Sequence, residues 1–295
     1  MSDFKDRYLT TKQLAELLHV KERKIYELAS SGEIPCTRAL GKLLFERVAI
    51  DAWLAGHGAE GSRGRIVEPP NVFLGSHDPL LEWCLRESNS GLATFFDGSQ
   101  DGLERFAKGE GVATGLHIYC PGEEEWNLPL VNKRFADDPV VLMEWAWRER
   151  GLIVAPGNPH KLRSIKDLAG FRVVPRQEPA GSQILLGHYL KENGIDSAAL
   201  KLSKPARTEV DAALAVLEGQ VDAAFGLKSV AQQYRLDFVP VVRERFDLLF
   251  WRREWFEEPL QALLNFFRTG EFAEKTAGMA GYDFSGLGRI LFNGR

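Results

Sequence analysis

Cysteine is scarce in this chain: Cys36, Cys84 and Cys120 are the only three among 295 residues, and they lie far apart. An odd, scattered set supports neither a disulfide framework nor a metal knuckle, so a reducing cytoplasm is the expected compartment. No stretch approaches the roughly 18 consecutive apolar residues of a membrane span. The first ten residues, MSDFKDRYLT, hold no apolar run of the kind a secretory signal needs. Charge of one sign is not in large excess either, with a net charge of −4. No internal repeat or long low-complexity tract is present. What remains is a chain with 44% hydrophobic and 26% charged residues. That is the composition of a soluble globular protein long enough for two domains.

The charge is unevenly divided. Residues 1–65 carry eleven Lys/Arg against nine Asp/Glu, and the remainder 26 against 32. A slightly basic head on an acidic body suits a small nucleic-acid reader attached to a sensor or an enzyme. The natural boundary is GHGAEGSRGRIVEPP, residues 56–70, which is glycine-rich and ends in two prolines. Such a segment cannot continue a helix and has little to bury. The expected division is a head over 1–55, a linker over 56–70 and a body over 71–295.

In the head, Thr10 and Thr11 precede Leu14, Leu17 and Leu18, the spacing of a capped amphipathic helix. His19-Val20 interrupts it. KERKIYELASSG follows with Ile25 and Leu28 inward and Gly32 as a stop. Lys21, Arg23, Lys24 and Tyr26 lie in the first half of this second helix, where a recognition helix meets phosphates and base edges. Ile34–Arg38 and Lys42–Phe45 read as two short strands around Gly41, with Arg38 and Lys42 near the hairpin tip. ERVAIDAWL, residues 46–54, reads as a third helix. By pattern alone the basic run reads equally as a solvated face. The stretch from Tyr8 through Leu18, with Ile25–Leu28, Gly32–Pro35, Phe45 and Ala52–Leu54, resembles the excisionase and MerR-like winged helix-turn-helix family. That resemblance covers nearly all of residues 8–55. It implies a second helix in the major groove of double-stranded DNA and a wing along the backbone. One copy neutralises few phosphates, so a homodimer on a two-half-site operator is expected.

The body alternates apolar runs with helical segments, which predicts a largely parallel α/β sheet. Asn71–Gly75 is a strand, and Asp78-Pro79 is a strong helix start. Ser76 and His77 fall in the turn between them. Leu92–Phe96, Asp97-Gly98-Ser99 and the helix with Leu103 and Phe106 repeat the arrangement, and His117 ends a third strand. Further strands are read at 151–159, 171–174, 221–226, 238–242 and 247–251. Helices are read at 165–168, 183–194, 209–219 and 259–267, the last taken as the final long one. Ligands of open α/β sheets lie beyond the carboxyl ends of strands, where helix N-termini converge. Hydroxyls of Ser76, Ser99 and Ser182 there suit a small oxyanion, because they replace hydration without neutralising charge. Serine is also simply common in turns. Arg176 offers a bidentate donor to an anion, or equally a partner for a structural carboxylate.

Residues 72–291 resemble the periplasmic-binding-protein-like ligand domain found behind a helix-turn-helix in cytoplasmic regulators, a family described as molybdate-binding or molybdate-like. The motifs include Gly75–Pro79, Gly98-Ser99, Gly115-Leu116-His117, Gly157-Asn158-Pro159, Arg176-Gln177, Leu236–Pro240 and Gly281-Tyr282-Asp283. The fold implied is α/β: a small winged helix-turn-helix head plus a two-lobed type II periplasmic-binding-protein-like domain. Lobe one would take 71–153 and 245–295, and lobe two 154–244, with the ligand between them. Where many relatives read Gly-Ser-Gly-Thr-Arg, this chain has Pro179-Ala180-Gly181-Ser182-Gln183, which keeps a hydroxyl and lacks the arginine.

The leading reading is a one-component transcriptional regulator controlled by a small ligand, an oxyanion such as molybdate or tungstate. Its ligand residues are Ser76, His77, Ser99, His117, Arg176 and Ser182. No cofactor, metal or membrane partner is expected. A sensor of a small organic or carboxylate metabolite on the same fold is the alternative. His77, Asp78 and His117 can also be drawn as a metal or acid–base set for a metal sensor or a metal-dependent enzyme. No HExxH, CxxC, P-loop or nucleophile-elbow motif accompanies them.

Overall fold

In the computed structural model, which describes residues 7–18, 20–39, 41–57, 68–178 and 180–295, the chain divides into two units, Met1–Val67 and Glu68–Arg295. His19, Leu40, Pro179 and the linker stretch 58–67 lie outside the described residues. Among those described, no helix is long and apolar enough to cross a membrane.

The first unit runs β1 (Tyr8–Thr10), α1 (Thr11–Leu17), α2 (Glu22–Ser30), β2 (Thr37–Ala39), β3 (Lys42–Glu46) and α3 (Arg47–His57). Thr10 starts α1 with a capping box. Its hydroxyl accepts from the Gln13 N–H, and the Gln13 side chain accepts from the Thr10 N–H at 2.9 Å. The wing has three strands rather than two, because Tyr8–Thr10 pairs antiparallel with the outer edge of β3. A core of Leu9, Leu14, Ile25, Ile34, Phe45 and Ile50 holds helices and strands together.

The second unit begins with β4 (Val72–Gly75), α4 (Pro79–Glu87), β5 (Ala93–Phe95), α5 (Ser99–Ala107) and β6 (Ala113–Leu116). A short hairpin, β7 (Tyr119–Cys120) and β8 (Glu125–Trp126), leads to α6 (Leu128–Phe135) and the long β9 (Val140–Val154). Next come β10 (Arg172–Val174), α7 (Gly181–Glu192), β11 (Lys201–Leu202), α8 (Glu209–Leu217), β12 (Ala223–Leu227), α9 (Lys228–Gln233) and the equally long β13 (Asp237–Trp251). The chain closes with α10 (Glu258–Phe266), α11 (Gly270–Ala277), β14 (Tyr282–Asp283) and β15 (Ile290–Asn293).

One mixed sheet of order β11-β10-β12-β9-β13-β6-β4-β5 runs through both lobes. Its flanks are parallel, as the alternating pattern predicts, but its centre is antiparallel: β9 and β13 pair from Val140↔Trp251 to Val154↔Asp237. The segments read separately at 238–242 and 247–251 are therefore one fifteen-residue strand. The strand read at 151–159 starts at Val140 and stops at Val154. The helix at 259–267 is followed by α11. Alternate residues of the long strands feed opposite faces: Leu248 and Phe250 join one core with Phe73 and Trp145, while Leu249 joins another with Leu74 and Phe106. At the far end of β9, Leu152 and Val154 pack with Phe225, and Ile153 packs with Ala224 and Leu227.

Close packing of α5 on β4 sets the lobe-one strand ends in place. A Cβ on Gly102 would sit 2.6 Å from Thr114 Oγ1 and nearer still to the Gly75 backbone. Gly102→Ala is therefore expected to cost about 1–3 kcal/mol by overpacking. Urea unfolding of the variant measures this, and an unchanged midpoint would contradict the close approach.

Candidate ligand-binding site

Three strand-to-helix junctions of lobe one build the candidate site. After β4, Gly75 adopts φ +102°, and the Ser76 N–H donates to the Gly115 carbonyl. Asp78 then caps α4 by accepting the Leu81 N–H at 2.7 Å, with Pro79 in the first turn. After β5, Gly98 (φ +114°) leads into Ser99, whose hydroxyl accepts the His117 N–H at 3.1 Å. His117 follows β6 and joins the group: its Nε2 lies 2.8 Å from Ser76 Oγ and its Nδ1 3.0 Å from Glu244 Oε2. The ring stacks on Phe246 at 5.7 Å. Lobe two meets it through the start of α7, where a Cβ on Gly181 would lie 2.8 Å from His117 Cε1. Ser182, the next residue, is buried.

Ser76, Ser99 and His117 are thus hydrogen-bonded together, and Ser182 is one residue from the contact that brings lobe two against them. His77 and Arg176 do not join this hydrogen-bonded group. His77 turns to Glu82 (Nε2–Oε2 3.0 Å) and the edge of Phe96. Arg176 donates to the Ala206 and Arg207 carbonyls at 3.0 and 2.7 Å, with Nη1 3.1 Å from Glu209 Oε1.

Beneath this group lies a set of buried charges of which the sequence singled out only Asp78, as a helix cap, and Arg176, with a structural carboxylate as one of its two readings. Arg148 and Arg150 of β9 both reach Glu244 of β13, Arg148 through Nη2 at 2.5 Å and Arg150 through Nε at 2.8 Å. Arg148 Nη1 also binds Asp78 Oδ2 at 2.6 Å, an oxygen that accepts the Tyr282 hydroxyl at the same distance. Arg150 Nη2 binds Glu209 Oε1 at 3.0 Å. With Arg176 this makes three guanidiniums against three carboxylates, and the set is charge-balanced. Burial alone would raise the Glu244 pKa, but Arg148, Arg150 and His117 hold it well below the ordinary carboxylate range. Burial likewise works against ionised Glu209, which Arg150 and Arg176 bring down to about 2. Burial lowers the His117 pKa against the pull of Glu244, so the ring is neutral. The available signal was a period of two: Glu144, Ala146, Arg148 and Arg150 alternate with Trp145, Trp147 and Glu149 along one strand.

Glu244, His117 and Ser76 are connected in the order of a hydrolase triad. Here the carboxylate also pairs with two guanidiniums, which the trypsin-like arrangement lacks, and burial together with these guanidiniums outweighs the pull of Glu244 on the ring. The chain of bonds fixes the orientation of Ser76 Oγ against His117 Nε2. Among the described residues no group of three or more His, Cys, Asp and Glu side chains is arranged to hold a metal ion.

In the first unit, Arg23, Lys24 and Tyr26 are exposed on α2 while Ile25 is buried. Arg23 and Lys24 both approach Glu27, at 3.2 and 3.9 Å. Lys21 is the residue before α2, and exposed Arg38 and Lys42 flank the hairpin tip. Of these six, Arg23, Lys24 and Tyr26 lie on one helix, Lys21 stands at its N-cap position, and Arg38 and Lys42 lie on one hairpin.

Residues 84–268, more than half of the chain, match the PBP superfamily domain, and the chain belongs to that superfamily. Residues 8–58 match a helix-turn-helix domain. The uncharacterized Bacillus subtilis (strain 168) protein YvgK is 22% identical over 300 residues, covering 96% of this chain and 97% of that protein. An uncharacterized Clostridium pasteurianum protein from the 5′ region of a 2Fe-2S ferredoxin gene is 26% identical over 110 residues, covering 37% of this chain and 97% of its own. Among solved structures, a candidate phosphate ABC transporter substrate-binding protein of Clostridium perfringens, with bound phosphate, aligns with a TM-score of 0.50 at 15% identity. That alignment covers 70% of this chain and 96% of the other. A helix-turn-helix joined to a PBP-type domain supports the reading of a ligand-responsive DNA-binding regulator.

Glu244→Gln leaves both arginines short of a carboxylate while keeping shape, and is expected to cost about 3–5 kcal/mol. Because the folded-state pKa of Glu244 is depressed, its contribution is present at neutral pH and lost on acidification through the carboxylate range. Urea unfolding at pH 7 and pH 3 measures both effects. A variant as stable as wild type at pH 7 would contradict the role given to Glu244.

Proposed function

We propose that the chain is a one-component, cytoplasmic transcriptional regulator. It acts as a homodimer whose winged helix-turn-helix, of the excisionase/MerR-like kind, reads a two-half-site operator. Its DNA affinity is set by a small oxyanion held between the lobes of the rear domain. Molybdate and tungstate are the anions that the family resemblance implies. The head is residues 1–55, the linker 56–70 and the sensor 71–295. Lys21, Arg23, Lys24 and Tyr26 contact the major groove, and Arg38 and Lys42 the flanking backbone.

The observation that carries the oxyanion reading is the convergence of Ser76, Ser99 and His117 with Gly181-Ser182 from the opposite lobe, above a charge-balanced floor. Hydroxyls and helix N-terminal N–H groups hydrogen-bond an anion without the desolvation that another buried charge would need. His117 packs directly on Gly181, so entry of the anion requires the lobes to part and re-close, which is the expected switch.

A small organic carboxylate is the second reading. Its support is a cavity of ≈ 360 Å³ lined by His77, Pro79, Glu82, Phe96, Arg207, Thr208 and Val210, which joins residues of both lobes around an aromatic edge and a guanidinium. This volume lies within the range of small-molecule sites.

Calorimetry against molybdate, tungstate, sulfate, phosphate and small carboxylates separates the two readings. Ser99→Val is expected to abolish oxyanion binding and leave DNA binding intact. Arg23→Ala with Lys24→Ala is expected to weaken DNA binding and leave the anion isotherm unchanged. Loss of both activities in either variant would contradict separate sites.

A further inference from the structure

The direction of each hydrogen bond in the cleft follows from its buried end. Glu244 is ionised between Arg148 and Arg150, so its Oε2 can only accept. His117 Nδ1, 3.0 Å away, therefore carries the single N–H of the neutral ring, and Nε2 carries a lone pair. Ser76 Oγ, 2.8 Å from Nε2, must donate its proton there. Ser99 Oγ accepts the His117 backbone N–H, which leaves its own proton free. Toward the cleft, Ser99 is thus a donor and Ser76 an acceptor with no proton to offer. Molybdate, tungstate and sulfate carry no proton at neutral pH. Against Ser76, such an anion sets lone pair against lone pair.

We propose that His117 is the proton-accepting residue of this site, so that a fully deprotonated dianion binds together with one proton drawn from solvent. This rests on the oxyanion reading above. The proton adds to His117 Nε2, the new Nε2–H donates to Ser76 Oγ, and the Ser76 hydroxyl turns its own proton toward the anion. No bond between heavy atoms forms or breaks, and the protein gains one positive charge to set against the ligand's two negative ones.

Every neighbour of the ring takes a definite part. Glu244 faces Nδ1 from β13, and Phe246 of the same strand covers the ring face. Arg148 and Arg150 of β9 stand behind Glu244, with Asp78 and Tyr282 on Arg148 and Glu209 on Arg150. Ser76 and Ser99 come from the two turns, and from α7 the ring meets the Gly181 backbone. Burial and the two guanidiniums keep the ring neutral against Glu244 alone. A second anion, one hydroxyl away, falls in the range of about 4–6 Å at which an opposite charge favours the protonated form.

The test is calorimetry of the full chain with molybdate, tungstate and sulfate between pH 7 and 8, in buffers of different ionisation enthalpy. The proposal expects uptake of one proton per anion bound. Uptake means that binding weakens as pH rises, by about tenfold per pH unit above the His117 pKa of the free protein. Tight binding with the same heat in every buffer and a flat pH profile overturns the proposal and leaves the oxyanion reading standing. No binding of any of these anions at any pH overturns the oxyanion reading and this proposal together. A His117→Gln variant that folds is expected to bind without proton uptake, and the wild-type buffer comparison decides the matter independently of it.

Discussion

Six buried charges at the crossing of two long strands are the constraint on which the rest of the second unit depends. Arg148, Arg150, Asp78 and Glu244 are fully buried, and Arg176 and Glu209 nearly so. Each would be costly alone, and removing one member of such a set costs more than the set contributes. Their partners come from both lobes and from the strands between them. Asp78 starts a lobe-one helix, Glu209 starts a lobe-two helix, and Glu244 lies on β13. Pairing all six charges at once therefore constrains how the two lobes meet, although Arg148 Nε, Arg150 Nη1 and Glu209 Oε2 keep no hydrogen-bond partner.

That balanced floor also limits what the cleft can bind. In the proposed account the guanidiniums are engaged with carboxylates, and an incoming anion meets hydroxyls, backbone N–H groups and one imidazole. Discrimination then rests on hydrogen-bond direction and shape, and the one charge added on binding is the proposed proton on His117. Ser76 and Ser99 differ in this respect although both are serines at strand-to-helix turns, because one is tied to the ring of His117 and the other to its backbone.

Much of this was legible in the sequence. Asp78-Pro79 as a helix start and the serine turns after β4 and β5 follow from local chemistry, and the structure has them. The order of apolar runs predicted the parallel flanks. The long central strands escaped because Arg148, Arg150, Glu244, Arg245 and Asp247 break their hydropathy, and charged residues read as solvent-facing when their partners are distant in sequence. Glu209 and Arg150 are 59 residues apart, and Arg148 and Glu244 are 96 apart. No local pattern announces a pairing at that range. Asp78 was read as a cap, which it is, but its second oxygen serves Arg148 and Tyr282. The third wing strand was missed for a simpler reason: Tyr8–Thr10 is only three residues long and acquires its role from β3.

Ligand control of DNA affinity is the central claim, and allosteric pairs of this kind are typically coupled by about 1–3 kcal/mol, or roughly 5–150-fold in affinity. The direct measurement is fluorescence anisotropy of a DNA duplex selected by the full chain, titrated in the presence and absence of saturating molybdate. The account predicts two separated isotherms whose spacing disappears when Ser99 is replaced by Val. Superimposable isotherms, under conditions where calorimetry shows the anion bound, would contradict it.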